Sequence, residues 1–280
     1  MLTEYVLSDA DFTAISSLIN EAAGITLQPS KKTLVYSRLV KRLRATGVDN
    51  FTSYRKLLEH DRAELTHMVE ALTTNTTSFY REPHHFQHLE GYLRTQILPA
   101  ARAGAPVRIW SAACSSGEEP YSTALTVLSA FASVPAADVK ILATDINTSI
   151  VEKAKRGIYS AAAAERVPLS ALKSHFDPVN DQPEPAFSIG KRVRELVHFR
   201  TLNLQGAWPM KNAFDVIFCR NVMIYFSQET QSQLWQRFAN VLKPGGILYI
   251  GHSERVAGPA TALLQNIGPT TYLRQTGGRS

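Results

Sequence analysis

Cysteine is nearly absent from this chain: 280 residues hold two, Cys114 and Cys219. They lie far apart, with no Cys or His at metal-ligand spacing. A disulfide scaffold and a zinc ribbon are therefore excluded, and both side chains are expected to be reduced, small packing residues. No apolar run approaches the roughly 20 residues that a membrane span requires. The opening MLTEYVLSDADF is acidic and lacks a basic region followed by an apolar core, so no secretion signal or membrane insertion is expected and the cytoplasm is the predicted compartment. The dinucleotide fingerprint Gly-x-Gly-x-x-Gly, internal repeats and long low-complexity tracts are also missing. His84 and His88 stand one helical turn apart beside His85, but no acid or Cys in the sequence completes a ligand set, so a surface or interdomain role is expected and no metal.

What is present is an ordinary globular composition, 44% hydrophobic and 19% charged, enough for a full core. The net charge of +6 is unevenly spread. Lys31, Lys32, Arg38, Lys41, Arg42 and Arg44 fall in a stretch with no acid. There Leu34, Val35, Leu39, Val40 and Leu43 recur at helical spacing, which predicts an amphipathic helix with a basic outer face. Such a face is either a solvated surface or a docking surface for a polyanion.

The chain predicts an N-terminal helical domain over residues 1–72, with Asp9 or Asp11 as first cap and Gly24 and Gly47 as helix ends. A polar, β-branched linker follows at 73–84. The second domain is expected over residues 85–280: a helix begins at Pro83 and runs towards Ile97, and after Pro106 strands and helices alternate. Val107–Ser111, Val139–Thr144, Val197–Thr201, Phe214–Cys219 and Ile247–Gly251 read as strands, and Pro120–Ala132, Thr148–Lys155 and Gln228–Leu242 as helices. This repetition predicts a doubly wound α/β domain with a largely parallel sheet, whose ligand sits above the carboxyl ends of the strands. A proline-rich interruption at about 159–196 reads as an inserted subdomain.

The turn after the first strand, from Ser111 to Ser122, is built of small residues around Gly117, with Pro120 in the first helical turn. Glu118 and Glu119 follow at once. They would repel a pyrophosphate but suit a ligand carrying an ammonium and a sulfonium, which favours S-adenosylmethionine; one acid alone is equally explained by the helix dipole. Asp145, directly after the second strand, is placed to accept ribose hydroxyls or to cap the next turn. Asn203-Leu204 ends the third strand, where an amide could read an adenine edge and Leu204 pack on the ring. Arg220 and Asn221 stand at the mouth of the fourth.

Four segments together resemble the CheR-type chemotaxis receptor methyltransferases: Asn75-x-Thr77-x-x-x-Arg81-Glu82; Ser111-Ala112-Ala113 with Ser116-Gly117-Glu118-Glu119-Pro120-Tyr121-Ser122; Cys219-Arg220-Asn221-Val222-Met223-Ile224-Tyr225-Phe226; and Gly251-His252-Ser253-Glu254. The likeness spans nearly the whole chain. It implies a protein-glutamate O-methyltransferase in which a helical domain joins a Rossmann-like methyltransferase domain. It also implies that Asn75, Thr77, Arg81, Glu118, Asp145, Asn203, Leu204, Arg220 and Asn221 surround the S-adenosylmethionine, with S-adenosylhomocysteine as product. The acceptor would be a glutamate on the cytoplasmic helices of a methyl-accepting chemotaxis receptor.

A glutamate nucleophile is already ionised at neutral pH, which accounts for the lack of a triad or metal motif. Arg81 and Tyr225 are the candidates for orienting the substrate or closing over the donor. Receptor methylation helices of this family are acidic, so Arg38, Lys41, Arg42 and Arg44 are the expected docking residues. Some relatives carry a glycine-rich signature that tethers them to a receptor's C-terminal peptide. Here Asp177-Pro178-Val179-Asn180-Asp181-Gln182-Pro183-Glu184-Pro185 stands instead, which predicts a tether-independent enzyme. Two other readings keep the donor site. A nucleic-acid methyltransferase is disfavoured because Arg220-Asn221-Val222-Met223 lacks a Pro-Pro-aromatic stacking cluster. A non-catalytic adaptor that only binds S-adenosylmethionine is the other.

Overall fold

The computed structural model describes residues 5–134 and 137–276 and divides the chain into two compact units. The first comprises residues up to Thr74 together with Tyr225–Thr230. Its helices are α1 (Asp9–Ala23), α2 (Lys32–Thr46), α3 (Phe51–His60) and α4 (Arg62–Leu72). Their boundaries follow from capping. Ser8, rather than Asp9 or Asp11, caps α1 by accepting from the Asp11 amide, because the cap must lie outside the helix in extended geometry; Asn50 and Asp61 do the same for α3 and α4. Gly24 and Gly47 close α1 and α2 in the left-handed region. Ile15, Ile19, Leu39, Leu43, Phe51 and Tyr54 form a fully buried interior.

The second unit, Asn75–Ile224 with Gln231–Ser280, is the α/β domain. It opens with α5 (His84–Tyr92), which continues through a π turn at Leu93–Ile97 into α6 (Leu98–Arg102). Then come β1 (Val107–Ala112), α7 (Glu118–Ala130), β2 (Val139–Asp145) and α8 (Thr148–Arg156). The insertion holds β3 (Ile158–Ser160), α9 (Ala161–Ala164), α10 (Leu169–His175), β4 (Phe176–Val179), β5 (Ala186–Ile189) and α11 (Lys191–Arg194). β3, β5 and β4 pair in that order as an antiparallel sheet of their own. The chain then completes the main sheet with β6 (Val197–Thr201), β7 (Phe214–Cys219), β8 (Leu242–Ile250), β9 (Leu264–Gly268) and β10 (Thr271–Arg274), with α12 (Gln228–Val241) preceding β8.

The main sheet has seven strands in the order β6-β2-β1-β7-β8-β10-β9. β6, β2, β1, β7 and β8 run parallel, and β10 and β9 add an antiparallel edge. Strand order reverses between β1 and β7, the switch point at which doubly wound sheets bind ligands. One face packs Ile109, Ile141, Ala143, Val216 and Phe218 under the helices α5 and α7. The other packs Trp110 on β1 against Trp208 and Phe238, with ring centroids 4.8 and 5.2 Å away. No helix joins β6 to β7. Arg237 instead holds the connecting loop by donating to the carbonyls of Leu204 and Gly206, while its guanidinium lies 4.0 Å from the Trp208 ring centroid.

Two expectations change. The fifth parallel strand begins at Leu242, not at the expected Ile247, with the register shift absorbed between Phe214 and Val216. Of the three histidines, His84 and His88 are exposed, as expected, whereas His85 is not a surface residue: it is fully buried, its Nε2 2.8 Å from Thr270 Oγ1 and its ring centroid 5.0 Å from that of Tyr249 on β8. The exposed His88 reaches the same strand, its Nδ1 2.8 Å from the Tyr249 hydroxyl. Cys114 and Cys219 are buried free thiols, and burial pushes both well up from the usual thiol range, as packing residues require.

Candidate functional site

The carboxyl ends of β1, β2, β6 and β7 carry the candidate residues of the α/β unit. After β1 the backbone coils through left-handed conformations at Ala113, Ser115 and Gly117. Gly117 is required twice over: its φ is +97°, and a Cβ there would lie 2.8 Å from the Tyr159 hydroxyl and 2.9 Å from the Ala154 Cβ. Tyr159 in turn donates to the Ser116 carbonyl at 2.7 Å and fixes the coil from below.

Asp145 binds the coil to the next strand. Its Oδ2 accepts from the Ser115 amide at 2.8 Å and its Oδ1 from the Asn147 amide at 3.0 Å. Asp145 thus caps the local turn, and the Ile146 amide is a further donor to its carboxylate. The Leu202 amide donates to the Asp145 carbonyl at 2.9 Å, which brings Asn203 and the buried Leu204 to the same corner. Ser115 Oγ donates to the Asn75 carbonyl at 2.8 Å, so the segment from Asn75 through half-buried Thr77 to Arg81 runs past the β1 coil.

The two adjacent acids at the start of α7 have different fates. Both are buried. Glu118 accepts from Ser116 Oγ at 2.6 Å and forms no ion pair among the described residues. Glu119 is spent within the protein: Oε1 accepts from Ser111 Oγ at 2.7 Å and Oε2 from Arg220 Nη1 at 3.0 Å. Burial raises the Glu119 and Asp145 carboxyls above their usual range, the effect expected of an anion removed from water. Two buried carboxylates near the strand ends, Glu118 and Asp145, therefore have no cationic partner among the described residues. A ligand carrying an ammonium, a sulfonium and a ribose would supply what they lack, and the donor set fits S-adenosylmethionine.

Arg220 ends β7 with its side chain 2% exposed. Besides Glu119, it donates from Nη2 to the Arg81 carbonyl at 2.5 Å and lies 3.3 Å from Glu82 Oε2. Burial works to raise the Glu82 carboxyl, but Arg220 and His252 pull it down to about 2. Glu82 also brings an acid to His84 and His85, which corrects the expectation that no acid accompanies these histidines. That carboxylate is engaged by Arg220 and His252, and the guanidinium beside it opposes a bound cation.

Asn221 stands in the left-handed region at φ 58°, and the loop it begins is held by a residue whose role the sequence left unassigned. The Glu254 carboxylate accepts the amides of Gly251, Asn221, Val222 and Met223 at 2.5 to 3.1 Å. Gly251 has no room for a side chain, since a Cβ would lie 2.5 Å from Asn221 Nδ2. The sequence marks Glu254 only as the end of the Gly251-His252-Ser253-Glu254 segment, with no role attached. Tyr225 groups with the helical unit, where its carbonyl accepts from the Thr26 amide at 2.8 Å. Arg81 Nη1 donates to the Thr76 carbonyl at 2.9 Å.

The basic face of α2 needs a correction. Arg38 is turned inward, donating to the carbonyls of Leu72 and Thr73 at 2.9 and 2.7 Å, and so caps α4. Arg42 pairs with the buried Glu64, whose Oε1 also accepts from the Tyr54 hydroxyl at 2.6 Å. Burial alone would raise the Glu64 carboxyl, yet the Arg42 and Tyr54 hydrogen bonds hold it below its usual range. The open carbonyls of α4 and the buried acid of a neighbouring helix claim both arginines. Lys41 and Arg44 remain exposed, with no carboxylate paired to them among the described residues.

A family model described as CheR methyltransferase, SAM binding domain, matches residues 75–273, and one described as CheR methyltransferase, all-alpha domain, matches residues 10–73. A probable chemotaxis protein methyltransferase of Rhizobium etli is 48% identical over 93% of this chain and 98% of its own length. The chemotaxis protein methyltransferase of Salmonella typhimurium is 41% identical over 91% of this chain and 86% of its own. Chemotaxis protein methyltransferase 2 of Pseudomonas aeruginosa is 39% identical over 96% and 94%.

Proposed function

Since this chain belongs to the CheR methyltransferase family, whose S-adenosylmethionine-binding and all-helical domains it carries, we propose that it methylates glutamate side chains of methyl-accepting chemotaxis receptors. The products are glutamate methyl esters and S-adenosylhomocysteine. The observation that supports the reading is the pair of buried carboxylates, Glu118 and Asp145, that have no cationic partner among the described residues, one following β1 and the other ending the neighbouring strand β2.

Bound S-adenosylmethionine supplies a methyl carbon activated by its sulfonium. The protein's part is placement. Glu118 and Asp145 bind the cationic and ribose portions, Asn203 and Leu204 the adenine, and Asn75, Thr77 and Asn221 complete the enclosure. The acceptor glutamate, with an ordinary pKa near 4.3, needs no general base. Arg81 and Tyr225 orient it and exclude water; a tight ion pair from Arg81 would stabilise the ground state as much as the transition state, so its role is orientation. Lys41 and Arg44 draw in the acidic receptor helix. No C-terminal receptor tether is part of this reading, because the 177–185 segment, which runs from within β4 to the start of β5, lacks the glycine signature.

The test is transfer of labelled methyl from S-adenosylmethionine to receptor fragments, with the label released by mild base as an ester demands. Label in nucleic acid, or binding of S-adenosylhomocysteine without transfer to any receptor, overturns it. Micromolar binding of a receptor tail peptide overturns tether independence alone.

A further inference from the structure

Arg81 sits in a turn that its own sequence does not favour. Tyr80 before it and Glu82 after it are both left-handed, at φ 50° and 57°. Non-glycine residues in that region each cost about 1 kcal/mol or more and persist where the surroundings over-determine them. Two contacts do so here. The Tyr80 amide donates to Ser122 Oγ at 3.0 Å on α7, and the Arg81 carbonyl accepts from Arg220 Nη2 at 2.5 Å. Arg220 is itself pinned: Glu119 takes its Nη1, Ser111 orients Glu119, and the Phe86 ring centroid lies 5.9 Å from the guanidinium carbon. Both oxygens of Glu119 act as acceptors, as in the ionised form. Arg220 Nε and Glu82 Oε2, which lies 3.3 Å from Arg220 Nη2, are buried without a hydrogen-bond partner among the described residues.

We propose that Glu119 is a positioning residue for methyl transfer, acting through the buried Arg220 guanidinium to fix the Arg81 peptide and so aim the Arg81 side chain. The inference rests on the methyltransferase reading above and on the orienting role given to Arg81 there. It changes the part assigned to Arg220, which becomes a bracket between β1, α7 and the Arg81 turn. A purely structural carboxylate would support the fold at large. A positioning one acts on a single turn, and its loss matters only while Arg81 is present to be misplaced.

A double-mutant cycle with a structural readout separates the two. Glu119→Gln is expected to lower kcat about ten- to a hundredfold, the effect of losing one charge-assisted hydrogen bond. Added to Arg81→Ala, it is expected to cause no further loss. Hydrogen exchange on the protein alone is expected to quicken at residues 79–82 and stay unchanged in β2 and β6. Should Glu119→Gln unfold the chain, Ser111→Ala, which leaves the charges in place but frees the Glu119 carboxylate, is expected to give the same exchange pattern with a smaller loss. Additive losses in the cycle, or unchanged exchange at 79–82, overturn the proposal. Failure of the wild-type protein to methylate receptors defeats the functional reading, whereas the exchange result judges the Glu119 relay independently of activity.

Discussion

Single buried charges separate binding from stability in the α/β unit. Asp145 has a carboxyl raised by burial, so the folded chain holds its proton more tightly than the unfolded chain, and ionisation at neutral pH costs the fold. Asp145→Asn removes that cost but replaces one of the two acceptor oxygens with an NH2, leaving the Ser115 or Asn147 amide unpaired. The apo protein is expected to lose about 1–3 kcal/mol, the cost of one unsatisfied buried donor, while affinity for S-adenosylhomocysteine falls about ten- to a hundredfold, the scale of a charge-assisted hydrogen bond. Calorimetry and thermal melts on the same preparation check both halves, and a variant that binds normally removes Asp145 from the site. His85 titrates with the opposite consequence. Burial, with Arg220 nearby, pushes its imidazole from 6.5 down to about 3. Below pH 6.5 the unfolded chain takes up a proton that the folded chain refuses. This residue's contribution is complete above pH 6.5 and falls by about 1.4 kcal/mol per pH unit until the folded group titrates. Denaturant unfolding of wild type and His85→Gln is expected to show converging stabilities from pH 7 to pH 5; parallel curves contradict this. Asp145 was legible in the sequence because a residue just past an apolar strand has few places to go. The burial of His85 was not, since its partners Thr270 and Tyr249 are far along the chain and lie in or beside strands of another sheet region.

Elements were legible in proportion to their length and periodicity. The helices of the first unit and the parallel strands announced themselves, whereas β9 and β10 did not. β10 spans four residues and β9 exposes Gln265, Asn266 and Ile267 on an edge, so neither shows a clean alternation. The α2 helix shows a subtler limit. Its run of cations was plain, but which of them face inward depends on the open carbonyls of α4 and on Glu64, more than 20 residues away in sequence. Arg42→Glu would place two carboxylates together in a buried site. It is expected to destabilise the helical unit by about 3 kcal/mol or more, the cost of breaking a buried pair, visible as a lowered denaturation midpoint in the absence of receptor. A midpoint within error of wild type would put the Arg42–Glu64 pair outside the core. Charge reversal at Arg38 or Arg42 is for the same reason a poor probe of docking.

At the scale of the whole molecule, the proposed acceptor, an acidic receptor helix, would meet a chain of net charge +6 before any specific contact forms. Association between exposed opposite charges is screened over about 8 Å at physiological ionic strength, so its signature is a rate that falls as salt rises. Lys41 and Arg44 are exposed and leave the fold's own ion pairs untouched. The double reversal Lys41→Glu with Arg44→Glu is therefore expected to leave the melting temperature and S-adenosylhomocysteine affinity unchanged. It should lower kcat/KM for receptor about tenfold or more at low salt and flatten the salt dependence that wild type displays. The loss should appear in kcat/KM rather than in kcat at saturating receptor, because a steering charge acts on encounter and not on the methyl transfer step. If the reversed variant kept the wild-type rate and salt slope, acidic receptor helices would be meeting some other surface of the protein.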